Sequence, residues 1–223
     1  MFEIFLFSFL IALTGALSPG PVLTFTIYKS INNNRGYLAG FFIILGHATL
    51  EFFLICCLLL ATSVIIAIFK IYVFLIIFGL IGGILLVTFG IFVIRGVYKK
   101  PLDLDFTSIS KDGTKGFSGN SFLGGIWVSL SNPFWTIWWA FVGLSFMINF
   151  NVSFDNPMAL FLFFLGHELG DFAWYIPISI FAYYGGRSIN LRVYKYVLIA
   201  CGTFMIGFGI FLAINIIVFP PTF

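Results

Sequence analysis

Residues 46–52 read Gly-His-Ala-Thr-Leu-Glu-Phe, and residues 166–172 read Gly-His-Glu-Leu-Gly-Asp-Phe. Both stretches fit the pattern Gly-His-x-x-x-acid-Phe, and together they contain both histidines of the chain. Each lies inside a long apolar run, where polar side chains are rare because lipid does not solvate them. A chance match in glycine-rich helices is the alternative, but the shared seven-residue pattern favours a chain built from two related halves.

The composition around these motifs is that of a membrane protein. Of the 223 residues, 61% are hydrophobic and 9% are charged, whereas about 25% are charged in a typical soluble domain. The apolar runs are continuous over about 20 residues or more, which favours helices over the alternating strands of a barrel. The runs lie near residues 3–28, 37–67, 71–94, 121–148, 158–184 and 196–219. They predict six transmembrane helices.

The basic residues predict how these helices are oriented. Ten of the eleven lie in the first, third and fifth links, within residues 29–36, 95–120 and 185–195. Basic links normally face the cytoplasm, so these three are predicted to be cytoplasmic and both termini to be external. Because the basic residues sit in short links between apolar runs, no nucleic-acid partner is expected.

Three spans in each half require the second half to enter the membrane from the opposite side. The predicted fold is therefore an all-α membrane protein whose six helices form two inverted three-helix repeats. Many secondary transporters share this plan and place their site near the midplane, where the repeats meet. The predicted single transmembrane domain, residues 1–223, comprises a first repeat (1–98), a cytoplasmic loop (about 95–120) and a second repeat (121–223).

Prolines are predicted to break the first and fourth helices at equivalent places. Ser18-Pro19-Gly20-Pro21 cannot continue a regular helix, because proline removes a backbone donor and clashes with the preceding turn. Asn132-Pro133 has the same effect in the fourth run. Broken backbone inside a membrane is tolerated where it lines a cavity, and freed N–H groups can hold a carboxylate. An ordinary kink is the alternative, but two equivalent breaks favour a substrate site.

Histidine and acid are four residues apart in each motif, so they share one helix face. At about 1.5 Å per residue, His47 lies roughly 15 Å beyond Tyr37, near mid-bilayer. A charge at this depth costs at least ~2.5–3.5 kcal/mol, so we expect these groups to be paired or functional. They are interpreted as a proton relay or a cation-binding cluster, the alternative being polar pairs that only cross-link helices. The residues are His47, Glu51, His167 and Asp171.

Other residues near the motifs are weaker candidates. Glu168 directly follows His167, so it is expected to point to another side of the helix. The tryptophans near the second break and the second motif could wall a substrate cavity or form an interfacial belt. The lower-ranked candidates are Glu168, Trp135, Trp138 and Trp174, with Trp139 in the same aromatic group.

The cysteines do not favour a redox function. Cys56, Cys57 and Cys201 form no C-x-x-C pair, and they are interpreted as packing residues. Two histidines in different spans leave a bis-histidine cofactor formally open, but no haem-type pattern supports it. The sequence therefore predicts no enzyme activity and no cofactor.

Three motifs together resemble the LysE/RhtB family of exporters, within the LysE superfamily. The motifs are Leu17-Ser18-Pro19-Gly20-Pro21, Arg35-Gly36-Tyr37-x-Ala39-Gly40 and Ser131-Asn132-Pro133. The likeness covers nearly the whole chain. It implies a six-span exporter of amino acids or related small metabolites, in the plasma (inner) membrane of a prokaryote and driven by the proton gradient. By motif, the hinge or substrate elements would be Pro19, Gly20, Pro21, Asn132 and Pro133.

The stretch from His47 to Glu51 departs from the amino-acid exporters, in which it is usually uncharged, so the substrate stays open. The first hypothesis is proton-coupled export of a small solute. In it Glu51 and Asp171 exchange protons or hold an ammonium, and the histidines tune them. The expected partners are the solute, protons and the lipid bilayer, and a homodimer is compatible with the sequence.

The alternative hypothesis is a divalent-metal exporter, since two imidazoles and two carboxylates are a sensible ligand set for such ions. Relatives in the wider superfamily move metals. The cytoplasmic links contain no histidine, whereas metal exporters often carry histidine-rich loops. The metal ligands in this alternative would be His47, Glu51, His167 and Asp171.

Overall fold

The computed structural model describes residues 2–18, 20–69, 72–99, 120–185 and 191–219, and these residues are helical apart from short turns. The predicted all-α class is confirmed for this part of the chain. The helices are α1 (Phe2–Leu17), α2 (Pro21–Asn32), α3 (Ala39–Phe69), α4 (Tyr72–Lys99), α5 (Ser121–Leu130), α6 (Pro133–Ile137), α7 (Leu144–Asn149), α8 (Pro157–Tyr183) and α9 (Leu191–Val218). A 3-10 turn, Gly36–Leu38, precedes α3, and a π-helical segment, Trp138–Gly143, joins α6 to α7.

Helix length and composition identify clear membrane spans. Within the described ranges, three helices are long and apolar enough to cross a bilayer, and α1 with α2 adds a fourth if the bent pair is one span. The three are Gly36–Thr62, Ile76–Lys99 and Lys195–Val218. Helix α8 is 27 residues long, but the polar residues of its motif lower its mean hydropathy. The segments Ser121–Leu130 and Phe134–Asn149 are shorter apolar helices.

Several helices extend past the predicted apolar runs, so the predicted loop boundaries are wrong at these ends. Helix α2 continues to Asn32, which makes Lys29 helical and buried rather than part of a loop. Helix α4 runs through Lys99, and α9 already begins at Leu191. The cause is that polar residues complete helices in the interfacial region, beyond the apolar stretch. The rest of the predicted loops 95–120 and 185–195 lies largely outside the described residues.

The first proline motif separates α1 from α2. Helix α1 ends at Leu17, and Pro21 is the first residue of α2, preceded by Gly20 in an extended conformation. Proline is favoured at this position because its missing N–H would have no intrahelical partner there. The axes of the two helices differ by 69°. Pro19 lies outside the described residues.

The second proline motif separates α5 from α6. Helix α5 ends at Leu130 and Pro133 begins α6. The side chain of Asn132 caps the new helix, since its Oδ1 accepts the backbone N–H of Phe134 at 3.1 Å. This cap stabilises the first turn of α6, which carries the aromatic residues that follow the break.

Glycines allow close crossings at the start of both Gly-His motifs. A side chain at Gly46 of α3 would overlap the backbone of Phe122 in α5. A side chain at Gly166 of α8 would overlap the backbone of Phe5 in α1. Helix α3 therefore packs on α5 as α8 packs on α1, and α3 and α8 also contact each other. Small residues at crossings let membrane helices approach this closely.

Helices α4 and α9 form the other main contact of the bundle. Gly83 of α4 lies against the carbonyl of Gly209 in α9, and Gly209 in turn lies against the carbonyl of Gly83. The same reciprocal contact joins Gly90 and Gly202. The two helices thus meet in an antiparallel pair along a row of small residues.

Candidate functional site

The two Gly-His motifs meet inside the helix bundle. The Nε2 atom of His47 lies 2.9 Å from Glu51 Oε1 and 3.4 Å from Asp171 Oδ2. The Nε2 atom of His167 lies 3.6 Å from Glu51 Oε2. All four residues are buried, none with more than 7% relative exposure. The structure thus brings the four predicted residues of α3 and α8 into one cluster, called here the His/acid cluster.

One oxygen of Glu51 is surrounded by three nitrogen atoms. Trp135 and Trp139 donate their indole N–H groups to Glu51 Oε1 at 2.7 and 2.8 Å. The third nitrogen at this oxygen is His47 Nε2. An indole nitrogen can only donate, so Oε1 accepts both indole bonds, and bonds to a carboxylate are about twice as strong as neutral ones. Glu51 therefore ties α3 to the segment that follows Pro133.

The tautomer of His47 is fixed by a serine. The hydroxyl of Ser129 donates its single proton to the carbonyl of Gly125 at 2.7 Å. The Nδ1 atom of His47 lies 2.6 Å from the same Ser129 Oγ. Because the hydroxyl proton is already used, the oxygen accepts and His47 Nδ1 carries a hydrogen. The other nitrogen, Nε2, faces Glu51 and Asp171, and it can donate to them only when both ring nitrogens are protonated.

Trp135, Trp138 and Trp139 lie where the fourth apolar run changes from α-helix to π-helix. The π-helical segment Trp138–Gly143 follows α6 directly, and single π turns are frequent at functional sites. The rings of Trp138 and Trp139 pack on the imidazole of His167, with centroids 5.4 and 5.0 Å apart. The segment that begins at Pro133 therefore places three tryptophans in contact with the His/acid cluster.

Several buried atoms of the cluster and of the neighbouring Glu168 have no hydrogen-bond partner among the described residues. These buried atoms are Glu51 Oε2, His167 Nδ1 and both carboxyl oxygens of Glu168. Glu168 is 5% exposed, and it interacts electrostatically with Glu51, Asp171 and His47. Glu168 is thus buried near the site, while its pointing to another side of α8 than His167 stays a prediction. It stays in the interior because α8 packs against both α1 and α3.

The first proline break makes local bonds. Ser18 Oγ donates to the carbonyl of Thr14 at 3.1 Å, and the carbonyl of Gly20 accepts from the Thr24 backbone at 3.0 Å. Trp174, another candidate, packs against the hydrophobic cluster that contains Phe25. Among the described residues, the second break is bonded to the His/acid cluster through Trp135.

Two residues of the site, Ser129 and Trp139, were not ranked from the sequence. Trp139 follows Trp135 by four residues, which is the spacing that places side chains on one helix face. This signal could have identified it. Ser129 reaches His47 because α5 crosses α3 at Gly46. No local pattern encodes that crossing.

Apolar helices around a buried charged cluster are typical of multi-pass membrane transporters. Residues 13–216 match the family described as LysE type translocator. This chain belongs to that family, which confirms the resemblance seen in its motifs. It is thus an integral membrane transporter of small solutes rather than an enzyme. No curated protein and no solved structure matches it.

Proposed function

We propose that this protein exports a small solute, an amino acid or related metabolite, in exchange for protons. The coupling site is the His/acid cluster. The observation that carries the proposal is the contact between His47 and both Glu51 and Asp171 inside an apolar bundle. Ionisable groups in spans commonly mark proton relays and ion pathways.

The charge of the cluster explains why it would exchange one cation for another. The cluster and the neighbouring Glu168 together contain three buried carboxyl groups, those of Glu51, Glu168 and Asp171. If all were ionised while both histidines were neutral, the site would hold an uncompensated triple negative charge. Lipid surroundings strongly disfavour such a state, so protons or a cationic solute must neutralise it. A solute that brings positive charge into the site therefore displaces protons from it, which is the basis of exchange.

Six spans in two inverted repeats, residues 1–98 and 121–223, form a single transmembrane domain in this proposal. Its support is the matched packing of the two Gly-His motifs, Gly46 on Phe122 and Gly166 on Phe5. The basic links support a cytoplasmic position for the odd-numbered loops and an external position for both termini. The membrane would be the plasma membrane of a prokaryote.

The second break offers a way to couple protonation to movement. Trp135 and Trp139 hold the segment after Pro133 on the Glu51 carboxylate. Neutralising Glu51 weakens both bonds, because they lose their charge assistance. The segment is then free to move relative to α3 and to open the site to one side of the membrane.

The proposal is tested with purified protein in liposomes loaded with a labelled mixture of amino acids. An inward proton gradient should accelerate efflux through the wild-type protein. Glu51→Gln should abolish this acceleration while leaving folded protein, since the amide keeps the shape but cannot exchange a proton. Glu3→Gln is the matched control, because Glu3 is exposed at the start of α1. Gradient-driven efflux through Glu51→Gln at the wild-type rate would contradict the proposal.

A divalent-metal exporter is the second candidate. One ligand atom each from His47, Glu51 and Asp171 lies within 4.8 Å of the others, close enough to hold an ion. Bonding of the other His47 nitrogen to Ser129 matches the outer partners of metal-bound histidines. Against a metal, Glu51 Oε1 already accepts two indole bonds.

Metal retention separates the two candidates. Protein purified after exposure to Zn²⁺, Ni²⁺ or Mn²⁺ should hold well under one ion per chain if protons and an organic solute are the physiological cargo. Stoichiometric retention that is lost in a His47→Gln/His167→Gln double variant would favour the metal exporter instead.

A further inference from the structure

The His/acid cluster has a bonded side and an unbonded side. On the unbonded side, Glu51 Oε2 and both oxygens of Glu168 lack a hydrogen-bond partner among the described residues. Their side chains are 1% and 5% exposed. Buried carboxyl oxygens are almost always paired with a donor. The unbonded side therefore has the properties of a site whose donor comes from outside the chain.

The two carboxyl groups also need positive charge. Glu168 interacts electrostatically with Glu51, Asp171 and His47, and its carboxyl group lies close enough to that of Glu51 for one shared proton to bond them. One proton can satisfy only two of the three oxygens, and when both groups are ionised they repel strongly in a low-dielectric interior. The indole N–H groups of Trp135 and Trp139 bond only the other oxygen, Glu51 Oε1, and they bring no positive charge. A cation next to Glu168 and Glu51 Oε2 would relieve the repulsion and supply the missing donors.

We propose that Glu51 Oε2 and Glu168 bind the ammonium group of the transported solute. The protein then recognises primary amines by this group alone, whether or not they also carry a carboxylate. The inference rests on the proposed export function, and it identifies the ammonium group as the part of the solute that the site binds. An ammonium has three donors and no acceptor, which complements the three unpaired carboxyl oxygens of Glu51 and Glu168.

Aromatic rings next to the unbonded side suit a cation as well. Trp138 and Trp139 pack around His167, whose Nε2 lies 3.6 Å from Glu51 Oε2. Aromatic faces attract ammonium groups. A solute carboxylate at the same place would meet Glu51 and Glu168 as like charges. The site therefore selects amines over acids of the same carbon skeleton.

A set of three probes tests this selectivity on the purified full-length protein. The probes are butylamine, butyrate and 2-aminobutyrate, which carry the amine, the acid or both. Thermal unfolding is followed in detergent at constant pH, because a ligand that binds the folded state raises the midpoint. We expect butylamine and 2-aminobutyrate to raise the midpoint and butyrate to leave it unchanged.

Glu168→Gln should raise the apparent Kd for butylamine at least tenfold, whereas Glu3→Gln should leave it unchanged. If Glu168→Gln does not unfold cooperatively, Glu168→Asp replaces it. Aspartate keeps the carboxylate, but its side chain is shorter by one methylene group. Butylamine should therefore bind Glu168→Asp more weakly, while butyrate should still not bind. Unchanged butylamine binding in the folded Glu168 variant would overturn the proposal. So would stabilisation by butyrate, by 2-aminobutyrate alone or by none of the probes.

A proton shared between Glu51 and Glu168, or an ordered water, would also satisfy these oxygens. If a shared proton or a water fills the site, butylamine should not stabilise the protein. A lack of stabilisation by butylamine therefore counts against the ammonium site. The proposed function fails separately. Proton-driven efflux of amino acids without butylamine binding would leave the export function standing and remove the ammonium site. Glu168-dependent butylamine binding without proton-driven efflux would leave the ammonium site standing and remove the export function.

Discussion

The indole nitrogen of Trp135 lies 2.7 Å from Glu51 Oε1, and this bond joins a proline-broken segment to an intact helix. Trp135 is the third residue of α6, directly after the break at Pro133. Glu51 is 1% exposed in the middle of α3. A change in the charge of this one buried carboxylate therefore acts directly on the segment that follows the break.

Trp135→Phe should destabilise the protein, because it removes one donor from a buried carboxylate while keeping most of the ring. Hydrogen bonds to charged groups contribute about 1.5–3 kcal/mol, and we expect a loss in the free energy of unfolding of that size. Denaturant titration in detergent measures it. Trp127→Phe is the matched control, since the Trp127 side chain is exposed at 59% on α5. Equal losses in the two variants would show that the indole bond to Glu51 contributes nothing.

Ser129→Ala should leave His47 Nδ1–H without an acceptor, at a cost of about 1–3 kcal/mol for an unpaired buried donor. Proton-driven efflux should fall as well, since the imidazole is no longer held toward Glu51 and Asp171. Ser131→Ala is a close control. Ser131 also donates to the carbonyl four residues earlier, at 2.7 Å, but its side chain is exposed. Liposome efflux and unfolding midpoints check both effects, and wild-type behaviour of Ser129→Ala would refute the tautomer assignment.

Gly46→Ala should destabilise the bundle, because the added methyl group would overlap the backbone of Phe122. Overpacking of this kind costs about 1–3 kcal/mol. Gly15→Ala is expected to be neutral or to stabilise by up to about 1 kcal/mol, since alanine favours helix and nothing lies within 4 Å of the new methyl. Thermal unfolding of the two variants gives the comparison. A stable Gly46→Ala protein would mean that α3 and α5 do not cross there.

Sequence patterns predicted the parts of the site that repeat. The i,i+4 spacing placed His47 with Glu51 and His167 with Asp171, and their convergence followed from putting the two motifs in equivalent helices. Local rules also located the helix breaks, since proline acts on its own turn. The positions of Glu168 and Ser129 depend instead on which helices cross at Gly46 and Gly166. Such crossings are set by tertiary packing.

Helix ends were the least predictable part of the fold. Hydropathy reports where lipid contact ends, whereas a helix continues until its backbone groups find caps. This difference explains why Lys29 is buried in α2 and why α9 begins at Leu191. The π turn at Trp138–Gly143 likewise has no signature in the apolar pattern.

The central claim is that the His/acid cluster couples solute movement to proton movement, and Asp171→Asn tests it most directly. Liposomes containing labelled amino acids and a pH-sensitive dye report solute exit and lumenal acidification together. We predict that Asp171→Asn still exchanges labelled for unlabelled solute but no longer acidifies the lumen during net efflux. Asp155→Asn, at an exposed turn, should behave as the wild type. Acidification by Asp171→Asn at the wild-type rate would contradict the account.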